Sequence, residues 1–278
     1  MHSGKASASA EITIEEAAPL LDPLSEIVAQ ASGLIASKSR SAISQRHKAD
    51  GSPVTEVDLA AEAIILEGVE RLLPGIDIIA EESYARAPHR LGATFILVDP
   101  LDGTKEFLAG RDEFTVNLAI VTRRTPVLGI IAAPALNLLW RGITGIIAER
   151  LHLDWNQNIA TAERRRIQTR PASENLVALT SRSHLDQDTE RCLARLPVAQ
   201  HRRCGSSLKF CHLAQGDADV YPRFSPTREW DIAAGCALLA AAGGVVTAAG
   251  GAPLQFGNVA GAFALSGFIA WGDPARAR

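Results

Sequence analysis

Aromatic residues are scarce: 8 Phe, 4 Trp and 2 Tyr make up 5% of 278 residues, alongside a single Met. A core this poor in rings is built from Ala, Val, Ile and Leu, and with 22 Gly it calls for helices and sheets in close layers, not a loop-rich scaffold. Cysteine is sparse as well. Cys192, Cys204, Cys211 and Cys236 form no CxxC pair and have no His at zinc spacing, which argues against a zinc site or a disulfide framework and fits reduced thiols in a cytoplasmic protein. A basic excess is also missing. The 28 Lys and Arg against 31 Asp and Glu leave a net charge of −3, which argues against a nucleic-acid polymer as partner, and 47% apolar residues argue against disorder. Finally, no Asp, Glu, Lys or Arg occurs in residues 232–272. Its most apolar part, 232–249, is long enough to suggest a membrane span, but Gly243-Gly244 divides it into a helix and a strand and its composition is too rich in Ala and Gly, so no span is expected.

The Ser/Ala-rich residues 1–19 match neither a signal peptide nor a transit peptide and read as a mobile tail. A first amphipathic helix follows from about Pro23, with Leu24, Ile27, Val28, Ala31 and Ile35 at helical spacing, and a second covers 57–73 up to Pro74-Gly75. Short apolar strands are expected at 76–80 and 95–98, each ending in acid: Glu81-Glu82 after the first, Asp99 after the second. Strands are also expected at 114–121 and 127–132, with weaker segments at 138–140 and 145–148. The polar, basic stretch 156–171, with Arg164-Arg165-Arg166, reads as a solvated patch and a soft boundary between a lobe at 20–155 and a lobe at 156–278. The second lobe alternates a strand at 176–180, helices at 186–196 and 207–214, a strand at 218–221 and a helix from Asp231. The fold class is therefore α/β or α+β.

The chemistry concentrates in Asp99-Pro100-Leu101-Asp102-Gly103-Thr104. Two carboxylates three residues apart across a tight turn, with the Leu101 carbonyl between them, can face one hard cation, and Glu81 adds a third acid. Several ionised carboxylates on one rim repel unless a cation neutralises them or their pKa values rise, and oxygen donors without His or Cys favour magnesium or manganese. By itself a DxxD is more often a solvated turn. The following Gly103-Thr104-Lys105-Glu106 can present backbone N–H groups to a phosphate. Trp230-Asp231-Ile232-Ala233-Ala234-Gly235 offers a further acid, read either as a helix N-cap or as another ligand. Asp58, entering the second helix after Gly51-Ser52-Pro53-Val54-Thr55, is a first-turn dipole partner or a reacting group.

These residues resemble a known family. Asp99 to Thr104 is similar to the DP(I/L)DGT signature of the lithium-sensitive, magnesium-dependent phosphatases, which include inositol monophosphatases and fructose-1,6-bisphosphatases; Glu81-Glu82-Ser83 and Trp230 to Gly235 resemble its other two motifs. GSPVT at 51–55, DPLDGTKEF at 99–107, GSSLKFC at 205–211 and YPRF at 221–224 narrow the resemblance to 3′(2′),5′-bisphosphate nucleotidases of the CysQ type.

The resemblance implies a layered α/β/α/β/α sandwich that hydrolyses adenosine 3′,5′-bisphosphate to AMP and phosphate. It implies two or three Mg2+ held by Glu81, Asp99, Asp102, Asp231 and the Leu101 carbonyl, with Glu81 and an Asp58–Thr104 dyad activating the water. It places Leu101, Asp102, Gly103, Thr104 and Asp231 at the substrate, and assigns Ser206, Ser207, Lys209 and His184 to the nucleotide; Lys209 alone reads equally as a solvated helix charge. Arg228-Glu229 is a departure that would alter the base or 5′-phosphate pocket. The expected partner is a small nucleotide bisphosphate. A homodimer and peripheral attachment to the inner membrane are both compatible with the sequence. Two other readings stand beside this one: an inositol- or histidinol-phosphate phosphatase using the same metals, and a magnesium- or nucleotide-binding module without turnover.

Overall fold

The computed structural model describes residues 11–38, 45–47, 53–182 and 185–277. A single capped turn, α1 (Ile14–Ala17), leads into α2 (Leu21–Ser37). The short strands β1 (Gln45–His47) and β2 (Pro53–Thr55) pair antiparallel and lead into α3 (Glu56–Leu72). The chain then lays down one large sheet: β3 (Asp77–Ala80), β4 (Thr94–Asp102), the short helix α4 (Thr104–Leu108), β5 (Thr115–Thr122), β6 (Thr125–Ala133), β7 (Leu138–Ile143), β8 (Ile147–His152) and β9 (Glu163–Arg166). These seven strands lie in chain order, with β3 and β4 parallel and every other pair antiparallel.

A second sheet, ordered β11-β10-β12-β16-β14, is assembled from β10 (Leu176–Ser181), β11 (Val198–Cys204), β12 (Val220–Arg223), β14 (Val245–Ala248) and β16 (Phe268–Trp271). Between these strands come α5 (Gln187–Leu193), α6 (Leu208–Ala214) and α7 (Glu229–Ala241), while β13 (Thr227–Arg228) and β15 (Ala264–Leu265) form a small ribbon at the start of α7.

Side-chain alternation dictates the layering. All eight residues of β5 are buried, so both faces of the large sheet are covered. One face packs Ile96, Val98, Leu118 and Ile120 against Leu24, Val28 and Ile35 of α2 and Val57, Ala61 and Ile65 of α3. The other packs Phe95, Leu97, Val121 and Ile131 against Trp230, Ala234 and Leu238 of α7 and Phe210 of α6, beyond which lie Leu179, Tyr221 and Phe268 of the second sheet. Helix α5 closes the far side through Leu193 on Leu176, Ala178 and Trp271. The order is α/β/α/β/α, as expected. Lying between two sheets, α7 is apolar almost all round, which explains the part of the charge-free stretch at 232–241. The helix ends at Ala241 and β14 starts at Val245, so the division at Gly243-Gly244 is observed. Among the described residues no helix is long and apolar enough to cross a membrane.

Three expectations change. Residues 11–19 are not a loose tail: Ile12 is buried, its N–H donates to Thr94 Oγ1 at 2.9 Å and its carbonyl accepts from Thr122 Oγ1 at 2.8 Å, while Thr13 and Glu16 form a capping box. Residues 1–10 lie outside the described residues. The switch between sheets comes later than 156, because the basic run is strand β9 on the edge of the first sheet, its four residues all exposed. Its charges made an edge strand look like a linker, and charge on an edge discourages pairing with other chains. Strand β11 was missed for a related reason: as an edge strand it buries only Cys204 fully, so VAQHRRC carries no apolar alternation.

Candidate active site

Strand β4 supplies the first two acids, and a bulge rather than a tight turn brings them together. Residues three apart in a regular strand point to opposite faces. Here Asp99 lies across from Asn117 and Asp102 across from Thr115, with the register broken between them, so Pro100-Leu101 bulges and both carboxylates reach the same cleft. The Asp99 side chain is buried and its Oδ1 accepts from the Leu101 N–H at 3.0 Å, which holds the bulge. Gly103 follows at φ +92°, and a Cβ there would lie 3.1 Å from the Glu113 carbonyl. This left-handed turn aims the start of α4 at the cleft.

Asp58 sits at the third position of α3 and forms a capping box with Thr55, accepting from the Thr55 N–H at 2.9 Å and from its hydroxyl. Its other oxygen, Oδ1, faces Thr104 Oγ1 at 3.1 Å, and that hydroxyl also lies 3.1 Å from the Leu101 carbonyl. Asp58 is thus both helix cap and partner of Thr104. Asp231 is likewise the third residue of its helix, not the N-cap: α7 begins at Glu229, and Asp231 Oδ2 accepts from the Arg228 N–H at 2.9 Å and from Thr227 Oγ1. Glu81 follows β3, its N–H on the Val98 carbonyl at 3.1 Å.

Glu81, Asp99, Asp102 and Asp231 line one cleft of about 250 Å³, together with Leu101, Gly103, Thr104, Ser206, Ser207, Lys209 and Arg223. Their electrostatics are unbalanced. Burial pushes the Asp99 carboxyl well above its ordinary value, and repulsion from Glu81, Asp102 and Asp231 adds to it. Asp102 is raised to about 7, by burial and then by Asp231, with Lys209 and Arg223 opposing. Asp58 is raised by burial against the lowering bonds from Thr55 and Thr104. Among the described residues no three acids form a closed ligand group. Each acid is tied to its own element, so a cation here would take one or two carboxylates at a time and complete its shell with water or phosphate oxygen. Magnesium is held in that way, and the all-oxygen, mutually repelling donors fit it.

The nucleotide contacts expected from the sequence divide. Ser206, at φ +45°, lines the cleft. Ser207 does too, but its hydroxyl turns inward to Asn117 Oδ1 at 2.7 Å and its N–H donates to Asp102 Oδ2 at 2.6 Å. Lys209 is not a solvated charge: it is 2% exposed, donates to the Cys204 carbonyl at 3.0 Å and the Ser206 carbonyl at 2.5 Å, and lies over the Tyr221 ring. His184 lies outside the described residues, as do Gly51 and Ser52. Arg228 and Glu229 are not in the cleft wall. Arg228 donates to the Ala262 carbonyl, and the buried Glu229 accepts from the Gly257 and Asn258 N–H groups, so both serve the 256–264 loop. Ser181, which precedes His184 in the segment expected to line the cleft, does line it, whereas sequence reasoning missed Arg223, although it lies in the YPRF segment that drew attention.

An α/β/α/β/α sandwich whose acid cluster stands on a strand bulge and a helix start is the architecture of a phosphatase family. The inositol monophosphatase family matches residues 16–270, and the chain belongs to it. Within that family it is 41% identical over 210 residues to the 3′(2′),5′-bisphosphate nucleotidase CysQ of Escherichia coli strain K12, covering 75% of this chain and 81% of that protein. It is 43% identical over 197 residues to the CysQ of Salmonella typhimurium, covering 70% and 76%. The crystal structure of CysQ from Bacteroides thetaiotaomicron superposes with a TM-score of 0.73 at 32% identity over 90% of this chain and 95% of that one. An inositol monophosphatase from Anabaena superposes with a TM-score of 0.72 at 27% identity over 94% and 95%.

Proposed function

We propose that this chain is a metal-dependent 3′(2′),5′-bisphosphate nucleotidase that releases the ribose 3′-phosphate of adenosine 3′,5′-bisphosphate as inorganic phosphate, leaving AMP. The observation that supports it most is the charge pattern of one cleft: five carboxylates, Glu81, Asp99, Asp102, Glu106 and Asp231, against three basic side chains, Lys105, Lys209 and Arg223. The acids call for divalent cations, and the Arg223 guanidinium suits a second phosphate. The likeness to the CysQ proteins supports the same substrate.

Glu81, Asp99, Asp102, Asp231 and the Leu101 carbonyl would hold two or three Mg2+. Bound there, the ions supply charge neutralisation at the phosphate and an acidified water. The chain does the rest. The N–H groups at the start of α4, from Gly103 and Thr104, hold the scissile phosphate. Glu81 orients the attacking water. The Thr104 hydroxyl, 3.1 Å from Asp58 Oδ1, accepts a proton from that water while passing its own to the buried carboxylate, whose raised pKa suits a base. The water oxygen bonds to phosphorus as the P–O bond to the ribose breaks, and the ribose oxygen leaves as an alkoxide that takes a proton from solvent water to become a hydroxyl. Ser206 and Arg223 face the remainder of the nucleotide. All these residues come from one chain, so this reading needs no second copy. The four free cysteines support a cytoplasmic place for it.

The competing inositol- or histidinol-phosphate phosphatase would use the same acids but would gain little from Arg223. Phosphate release from adenosine 3′,5′-bisphosphate, inositol 1-phosphate and histidinol phosphate with magnesium separates them. The nucleotide is expected to give the highest kcat/KM, and a clear preference for inositol 1-phosphate or histidinol phosphate overturns the proposal.

A further inference from the structure

The loop between β11 and α6 is fastened to β5 by a buried polar cluster that the reaction as described leaves unused. Thr115 and Asn117 on β5 stand directly across β4 from Asp102 and Asp99. The Ser207 hydroxyl sits between them, 2.8 Å from Thr115 Oγ1 and 2.7 Å from Asn117 Oδ1, and all three side chains are 2% exposed or less. A hydroxyl has one proton. Donating it to Asn117 Oδ1 leaves the Ser207 oxygen to accept from Thr115, and this order fixes which way the Asn117 amide faces. Its Nδ2 then points at Asp102 Oδ2, 3.5 Å away, where the Ser207 N–H already donates at 2.6 Å. With the amide reversed, two oxygens would oppose each other at Asp102, and the Ser207 hydroxyl would have to accept from Nδ2 and donate to Thr115 instead.

We infer that Asn117, set by Ser207 and Thr115, is a positioning residue that engages Asp102 Oδ2 and thereby presents Oδ1 to the cation. The inference rests on the proposed metal-dependent reading. Its physical basis is that a carboxylate with one oxygen anchored by donors meets a cation in a single orientation, whereas a free one must be ordered when the cation binds. The Ser207 N–H bond to Asp102 also joins the two sheets, since Ser207 follows the second sheet and Asp102 ends a strand of the first. Setting the metal ligand and setting the loop beside the nucleotide are therefore one event.

The test uses Mn2+ binding followed by electron paramagnetic resonance on the full chain, with magnesium-activated phosphate release as a parallel measurement. Ser207→Ala, which frees the amide to turn, is expected to weaken Mn2+ binding and raise the magnesium concentration for half-maximal activity about tenfold. Asn117→Asp, which puts a carboxylate oxygen against Asp102, is expected to do so by about a hundredfold. Ser207→Thr, which keeps the hydroxyl, should bind Mn2+ more tightly than Ser207→Ala. Thermal unfolding without metal shows whether each variant is folded, and Ser207→Thr keeps the comparison open if Asn117→Asp is not. Folded Ser207→Ala and Asn117→Asp proteins that bind Mn2+ as the wild type does overturn the inference. A wild type that neither binds Mn2+ nor releases phosphate overturns the nucleotidase reading itself, and the inference with it.

Discussion

The protein buries two clusters of charge along the same seven-stranded sheet and resolves them in opposite ways. Between β7, β8 and α2, Arg141 is 1% exposed and fully engaged: Nε and a terminal nitrogen donate to Glu149 Oε1 at 2.8 and 2.6 Å, and the other terminal nitrogen meets Asp22 at 2.6 Å and Ser25 at 3.1 Å. In the cleft, burial and the charges of Glu81 and Asp231 push Asp99 and Asp102 upward, and the chain does not supply enough positive charge to balance them. A buried charge with its partner built in is architecture. One whose partner must come from solution marks a binding site, because the cost of holding it without the ligand is recovered when the ligand arrives.

The contrast is sharpest on activity. Asp99→Asn should lower magnesium-dependent phosphate release by about ten-thousandfold, about 5.5 kcal/mol of barrier, while leaving the metal-free unfolding midpoint the same or higher because a repelling charge is gone. Arg141→Leu should do the reverse. It leaves Glu149 buried without a partner and should cost about 3 to 5 kcal/mol in urea unfolding, with kcat per folded molecule unchanged. Equal effects of both substitutions on activity would break the distinction. Saturating magnesium should stabilise the wild type by about 2.7 kcal/mol at a hundredfold excess over Kd, and Asp231→Asn should lose most of that gain.

The pH dependence follows from Asp102. In the metal-free folded state it keeps its proton up to about 7, whereas the unfolded chain releases it near 4. The folded state therefore binds more protons in that window, so metal-free stability should fall as pH rises from 4 to 7, and the raised Asp99 acts in the same direction. Melting in a chelator at pH 5 and 8 checks the sign, and saturating magnesium should remove the fall, since the cation replaces the proton. Smallest of all, Arg165→Gln on the exposed edge strand should change stability by less than about 0.5 kcal/mol.

Much of the cleft could be read in the chain because its acids are local events. Asp99 and Asp102 flank a bulge, Asp58 and Asp231 each stand at the third position of a helix, and a residue at a strand or helix end is marked by what precedes it. Asn117 carried no such mark, because it lies inside an ordinary strand and depends on Asp102 and Ser207, more than a dozen residues away. Arg223 does end β12, but the acids that it faces, Asp231 and Asp102, belong to other elements. The Arg164 to Arg166 run misled for a related reason: exposure makes an edge strand and a linker alike in composition, and only its pairing with β8 tells them apart.

The sequence by itself determined the layers, the family signature and the acids, since apolar period, capping and short motifs are properties of neighbouring residues. Tertiary structure decided how those acids are oriented and balanced. Whether Asp102 meets a donor, whether Lys209 reaches solvent or a carbonyl, and whether residues 11–19 hang free or lie against Thr94 and Thr122 depend on which strands and loops meet. Such meetings depend on the packing of the whole chain, and so does the choice between a charge that is paired within the protein and one that must find its partner outside.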